Sequence, residues 1–172
     1  MVKLRKNAAY QKLERPYTRI SKYSKLNYVR GGRPQVKVIK FDMGNPNRNY
    51  DTIINLISNK SMHVRHNSIE SARMTSNRLL EKNIGREYHL RIKIYPHHVL
   101  RENPLASGAG ADRMSTGMKL SFGKSISTAA RVREGQTLIE LRINKANIKL
   151  GRQALERAAK KFPCPCKVLV AQ

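Results

Sequence analysis

From residue 88 to residue 95 the chain alternates without a break. Tyr88, Leu90, Ile92 and Ile94 fall on one parity, and His89, Arg91, Lys93 and Tyr95 on the other. Successive side chains of a strand point to opposite faces, so this period fits a β-strand with one apolar face and is incompatible with a helix. One strand cannot cover its own apolar face. The rest of the chain must supply partner strands and a covering layer. Pro96 lacks the N–H a ladder needs and closes the strand.

The partners can be sought by the same reading. Residues 36–41 (VKVIKF) are rich in β-branched and aromatic side chains and run into a Gly-Asn-Pro turn at 44–46, which predicts a strand. Residues 50–57 place Tyr50, Ile53, Ile54 and Ile57 at helical spacing, which predicts a short helix. Residues 62–64 read as a short strand. Asn67-Ser-Ile-Glu70 has the form of a capping box, and Ile69, Ala72, Ser76, Leu79, Leu80 and Asn83 then share one side of a helix of about four turns closed by Gly85. Residues 129–134 and 137–143 flank Gly135-Gln136 and predict a hairpin. Asn144 can cap a second helix carrying Ile148, Leu150, Ala154, Leu155, Ala158, Ala159 and Phe162. Its basic end (Arg157, Lys160, Lys161) complements the helix dipole, and Pro163 stops it. Residues 168–170 read as a last strand. The class is α+β: a mixed, mostly antiparallel sheet covered by two longer helices, with a basic N-terminal arm and a long glycine-rich loop. The expected division is a basic extension over 1–34 and a single domain over 35–172 that contains a loop at 101–124.

Charge narrows the function. The chain of 172 residues carries 35 Lys and Arg against 11 Asp and Glu, a net charge of +24. Such a chain repels itself until an anion neutralises it. The excess is uneven: residues 1–40 hold twelve basic side chains and one acid, Glu14. Tyr10, Tyr17, Tyr23 and Tyr28 are interleaved with those cations. Tyrosines stack on unpaired bases while Lys and Arg take phosphates, so the arm reads as RNA-binding. No stretch approaches the ~20 apolar residues of a membrane span. The charged N-terminus does not read as a signal peptide, and two cysteines two residues apart do not make a disulfide framework, so a reducing, cytoplasmic setting is expected.

The other motifs favour binding over catalysis. Gly108-Ala-Gly110-Ala-Asp112-Arg113 lacks the third glycine of a dinucleotide fingerprint, and Gly123-Lys124-Ser125 lacks the earlier glycine of a phosphate-binding loop. Five of the ten glycines lie between 108 and 135. With Arg101, Arg113, Lys119 and Lys124 nearby, such a stretch lets backbone approach phosphates closely. Cys164-Pro-Cys166 offers two thiolates where a structural zinc wants four ligands. His63, His66 and His98 would be the suspects for a nuclease, but the acids that would hold its metal are scarce and scattered. No metal, cofactor or catalytic residue is expected.

One stretch carries a resemblance. His97-His-Val-Leu-Arg101-Glu-Asn, Gly108-Ala-Gly-Ala-Asp-Arg-Met114, Thr116-Gly-Met, Phe122-Gly-Lys124, Thr128-Ala-Ala-Arg-Val132 and Gly135-Gln136 closely resemble the L-sixteen/L-ten-e family of large-subunit ribosomal proteins. Residues 34–44, 68–73 and 154–163 agree with its first strand, first long helix and last helix. The chain stops at Gln172 without the tail of eukaryotic members, so the archaeal type is expected. The resemblance implies a cytoplasmic, ribosome-bound protein among large-subunit rRNA helices, close to 5S rRNA, to the aminoacyl-tRNA site and to neighbouring ribosomal proteins. No membrane and no homo-oligomer is expected. Carried onto this chain, the rRNA contacts are Arg5, Lys6, Arg15, Tyr17, Arg19, Lys22, Lys25, Arg30 and Arg33 of the arm, with His89, Arg91 and Lys93 of the alternating strand. The loop directed at tRNA holds Arg101, Gly108, Gly110, Asp112, Arg113, Lys119 and Lys124. A free-standing RNA-binding regulator and an RNA-directed enzyme are the other two readings.

Overall fold

The structure is a computed structural model that describes residues 7–13, 15–23, 29, 31–102, 108 and 123–171. The elements run α1 (Ala8–Gln11), β1 (Asp42–Gly44), β2 (Thr52–Ser58), β3 (Met62–Arg65), α2 (His66–Ile84), β4 (His89–Ile92), β5 (His98–Glu102), β6 (Lys124–Val132), β7 (Thr137–Ile143), α3 (Ile148–Ala159) and β8 (Cys166–Ala171). The class is α+β, as expected, but the strands divide into two sheets. One is five-stranded in the order β1-β4-β7-β2-β8, and the other is three-stranded in the order β3-β6-β5. All pairings among the described residues are antiparallel.

The alternating strand sits where its period requires. Tyr88, Leu90, Ile92 and Ile94 are buried, and β4 lies between β1 and β7. Residues 52–58 are not helical. Thr52, Ile54, Leu56 and Ser58 turn inward as β2, which is hydrogen-bonded on both edges, to β7 and β8. Ile53 and Ile57 on the opposite face are half-buried, so the segment is apolar on both faces and its period of two is blurred. Residues 36–41 form no strand and lie outside the ladder, which begins at Asp42. Two of their backbone donors go to side chains of α2: Lys37 N–H to His66 Nδ1 at 3.3 Å, and Ile39 N–H to Glu70 Oε2 at 3.4 Å.

The helix α2 follows β3 directly and runs 19 residues, about five turns. Asn67 lies inside it rather than at its cap, and Glu70 turns instead to Arg73, whose guanidinium nitrogens lie 2.6 and 2.9 Å from the carboxylate. Gly85 ends it with φ +60, its N–H bonded to the Glu81 carbonyl at 3.1 Å. The expected hairpin around Gly135-Gln136 is absent, because the two flanking strands belong to different sheets: β6 pairs with β3 and β5, β7 with β4 and β2. The Gly135 turn is tied to Ser58 of β2, 2.8 Å from Gly135 N to Ser58 O and 3.1 Å from Ser58 N to Gln136 O. Asn144 precedes a single 3-10 turn, Lys145–Asn147, and supplies no side-chain cap to α3.

The core lies between the five-stranded sheet and the two helices. Ile54, Leu56, Leu80, Leu90, Leu138, Leu141, Ile143 and Leu155 are fully buried in one cluster. Helix α3 presses on β2 and β7 at Gly151, where a Cβ would stand 2.9 Å from Ile54 Cδ1 and 3.1 Å from Leu141 Cδ2. Helix α2 packs on α3 and reaches the smaller sheet.

Candidate nucleic-acid interface

The N-terminal segment lies against the smaller sheet. Tyr17 donates its N–H to His98 Nδ1 at 2.9 Å, and its carbonyl accepts from Val99 N–H at 3.0 Å. The Arg101 guanidinium sits 4.2 Å from the Tyr17 ring centroid, within cation–π range. Arg33 donates to the Pro96 carbonyl at 2.8 Å and lies 5.5 Å from the Tyr95 ring. Ser125 of β6 donates to the Gly32 carbonyl at 2.8 Å. Arg15, Arg19 and Lys22 are exposed, with Lys22 over the Tyr23 ring at 5.1 Å. Arg5, Lys6, Lys25 and Arg30 lie outside the described residues.

The outer face of β4 differs from the open basic face the alternation predicts. His89 is buried, with Nε2 3.0 Å from Asp42 of β1 and with Arg142 of β7 opposite it in register. Arg91 is 3.6 Å from the same Asp42 oxygen. Lys93 Nζ and Arg142 Nε each lie 2.8 Å from Glu140, one on each carboxylate oxygen. Burial pushes the Glu140 pKa up, but the hydrogen bonds and charges of Lys93 and Arg142 together outweigh it and hold this carboxyl below the usual range. This face is therefore a mesh of internal ion pairs in which Arg91 and Lys93 keep part of their surface exposed.

The expected loop is narrower than 101–124. Arg101 and Glu102 belong to β5 and Lys124 to β6, with Arg101 opposite Ser125 and Glu102 opposite Lys124. The two strands form a stem, closed so tightly that a Cβ on Gly123 would stand 2.9 Å from the Glu102 backbone. Gly108 is exposed with φ +135. Gly110, Asp112, Arg113 and Lys119 lie outside the described residues.

Two features escape the sequence reading. On the helices, Arg78 and Lys82 of α2 and Arg157 of α3 line an open groove of about 990 Å³ beside the exposed Met74. None of the three has an ion-pair partner among the described residues. Their signal was present in the 35-to-11 imbalance, which leaves 24 cations over when each acid takes one. The second is a row of rings: Phe41 and Tyr95 at 5.2 Å between centroids, then Tyr95 and His97 at 4.5 Å. Only the folded chain brings Phe41 to Tyr95.

Among the described residues no three His, Cys, Asp or Glu side chains converge as a metal site would require. Cys164 and Cys166 are free thiols 3.6 Å apart. The hydrogen bond between them holds the Cys164 thiol down at about 6 against the effect of burial, and with burial it pushes Cys166 up. His63 stacks on His98 at 4.5 Å, and His66 is bonded to Ser127 and Thr128. No described helix is long and apolar enough to cross a membrane.

Comparison with known proteins resolves the family. The sequence model described as "Ribosomal protein L16p/L10e" matches residues 15–169. The chain is 44% identical over 149 residues to "Large ribosomal subunit protein uL16" of Methanocella arvoryzae, covering 86% of each chain. It is 40% identical over 170 residues to the protein of the same name from Methanococcus maripaludis (98% and 95% covered) and 42% over 158 residues to that of Staphylothermus marinus (90% of each). These archaeal relatives span nearly the whole chain, and the family match includes the stem, the ring row and both helices: the chain belongs to the ribosomal protein L16p/L10e family.

Proposed function

We propose that this chain binds large-subunit rRNA near the aminoacyl-tRNA site, in the neighbourhood of 5S rRNA, and helps position tRNA during translation. The coarser part follows from the family: a member is a structural, ribosome-bound protein of the cytoplasm, and not an enzyme. The finer part rests on one observation about charge. The carboxylates of Asp42, Glu70, Glu87, Glu140 and Glu156 are taken up inside the molecule by Arg48, Arg73, His89, Arg91, Lys93, Arg142 and Arg152. Arg15, Lys22, Arg78, Lys82 and Arg157 form no ion pair among the described residues. Surplus cations on several sides suit a protein embedded among phosphates. The N-terminal segment lying beside the β5–β6 stem suits one in which the rRNA-binding arm (Arg15, Tyr17, Arg19, Lys22, Arg33) and the loop directed at tRNA act from neighbouring positions.

The test is a titration of the full chain on large-subunit rRNA fragments at several salt concentrations. If six to ten phosphates are contacted, affinity should fall by about 10³–10⁵ between 50 and 200 mM salt, on the duplex DNA scale. A flat salt response would overturn the reading. For the tRNA part, large subunits carrying a chain without residues 105–118 should assemble yet bind aminoacyl-tRNA less well. Normal tRNA binding by such particles would remove that role. A chain that fails to sediment with large subunits after a moderate salt wash would fit a free-standing regulator instead.

A further inference from the structure

A groove of about 570 Å³ opens where the two sheets meet, with Lys93, Tyr95 and His97 on one wall, Arg131 of β6 on another, and Gln136 at its end. Its volume is that of a small-molecule site. Its chemistry is that of a nucleotide site. The Phe41–Tyr95–His97 row ends at His97, which is exposed, and a hydrogen bond from His97 N–H to the Tyr95 carbonyl (3.0 Å) fixes the two rings 4.5 Å apart. The end of a ring row is a stacking platform for a base. Arg131 is half-buried, and its Nε is shut off from solvent with no hydrogen-bond partner among the described residues. The guanidinium forms no ion pair among the described residues, so the part of Arg131 that lines the groove offers a cation to a phosphate. Gln136 spends its side-chain oxygen on Arg133 N–H at 2.9 Å, which leaves its amide N–H groups to donate to a base edge. Among the described residues no carboxylate lines the groove.

We propose that this groove receives one unpaired nucleotide of an RNA strand, with the base stacked on His97 and the phosphate held by Arg131. The inference rests on the RNA-binding reading and adds to it a single-nucleotide site. A stacked base is worth enough that losing the platform should cost about 5- to 150-fold in affinity.

The experiment uses the full chain and two RNA hairpins, one fully paired and one with a single bulged 2-aminopurine. The expected result is tighter binding of the bulged hairpin by about tenfold at equal salt, with a change in 2-aminopurine emission. H97A and R131Q should each erase that preference while leaving affinity for the paired hairpin within about twofold, and H97F should retain it. Equal affinity of the unaltered protein for both hairpins, with a steep salt dependence, would overturn this site and leave the RNA-binding reading standing. Failure to bind either hairpin would remove both. Competition by AMP alone at micromolar concentration would assign the groove to a free nucleotide and overturn the RNA assignment.

Discussion

His66 shows how one side chain can tie separate parts of the chain together. It opens α2, is buried, and sits between the segment at Lys37 and the smaller sheet at Ser127 and Thr128. Lys37 N–H donates to Nδ1, so that nitrogen accepts and the ring proton sits on Nε2, where it donates to Ser127 Oγ 3.2 Å away. Burial first, then the nearby charges of Lys37 and Arg65, hold the His66 pKa below its ordinary value of 6.5. The sign follows. The unfolded chain takes up a proton here at higher pH than the folded chain, so the contribution is full above about 6.5 and declines as pH falls below it. The denaturant midpoint of the wild type should therefore drop between pH 7.5 and 5.5. H66Q should be less stable at pH 7.5 and show a shallower drop over the same window; an equal drop would place the titration elsewhere. The strand face around His89 was legible only in part. Alternation correctly separated Leu90 and Ile92 from Arg91 and Lys93, but it could not reveal that Asp42 and Glu140 arrive across the sheet from β1 and β7 to pair with them. Cross-strand partners are set by register, and register joins residues distant in sequence.

At the scale of elements, two glycines give a controlled comparison. Gly44 and Gly85 both have positive φ, +86 and +60. A side chain on Gly85 would meet nothing within 4 Å, whereas one on Gly44 would run into the Tyr88 carbonyl at the start of the β1–β4 ladder. G85A should cost about 1–2 kcal/mol, the strain of an alanine held at φ +60 and ψ −121, angles that glycine alone adopts readily. G44A adds a backbone collision to the same strain and should cost about 2–4 kcal/mol, read by chemical denaturation. Equal costs would mean that β1 can lift from β4 freely. The same scale explains which elements the sequence discloses. The two long helices and β4 have faces of contrasting polarity, and their periods survive inspection. By contrast, β2 is a central strand with isoleucines on both faces, so a helical spacing could be picked out of Tyr50, Ile53, Ile54 and Ile57 by coincidence. The turn at Gly135 has hairpin chemistry and keeps its closing bond, Gln136 N–H to the Arg133 carbonyl at 3.2 Å, yet it passes the chain from one sheet to the other, with Gly135 N–H and the Gln136 carbonyl bonded to Ser58 of β2. Local turn preference limits the backbone angles; it does not decide which strand lies alongside.

For the molecule as a whole, the fold divides a net charge of +24 into two kinds of cation. One kind is structural: Arg73 on Glu70, with side chains 12% and 13% exposed, and Lys93 and Arg142 on Glu140 fix elements against each other. The other kind forms no ion pair among the described residues and raises the self-repulsion of the free protein. The two kinds should separate experimentally. Replacing Arg78, Lys82 and Arg157 together by glutamine removes three surplus charges from the helix groove and touches no ion pair, so stability in low salt should stay the same or rise slightly. If all three reach phosphates, the slope of log affinity against log salt should become shallower by about 2–3 units, since each phosphate contact contributes about 0.7–0.9. Replacing Arg73 by glutamine should do the reverse: it strands Glu70 and loosens the segment at Ile39, lowering stability while moving the salt slope by less than about one unit. A slope unchanged in the triple variant would mean that the helix groove faces something other than nucleic acid, and the RNA-facing side would then be confined to the arm, the β5–β6 stem and the junction of the two sheets.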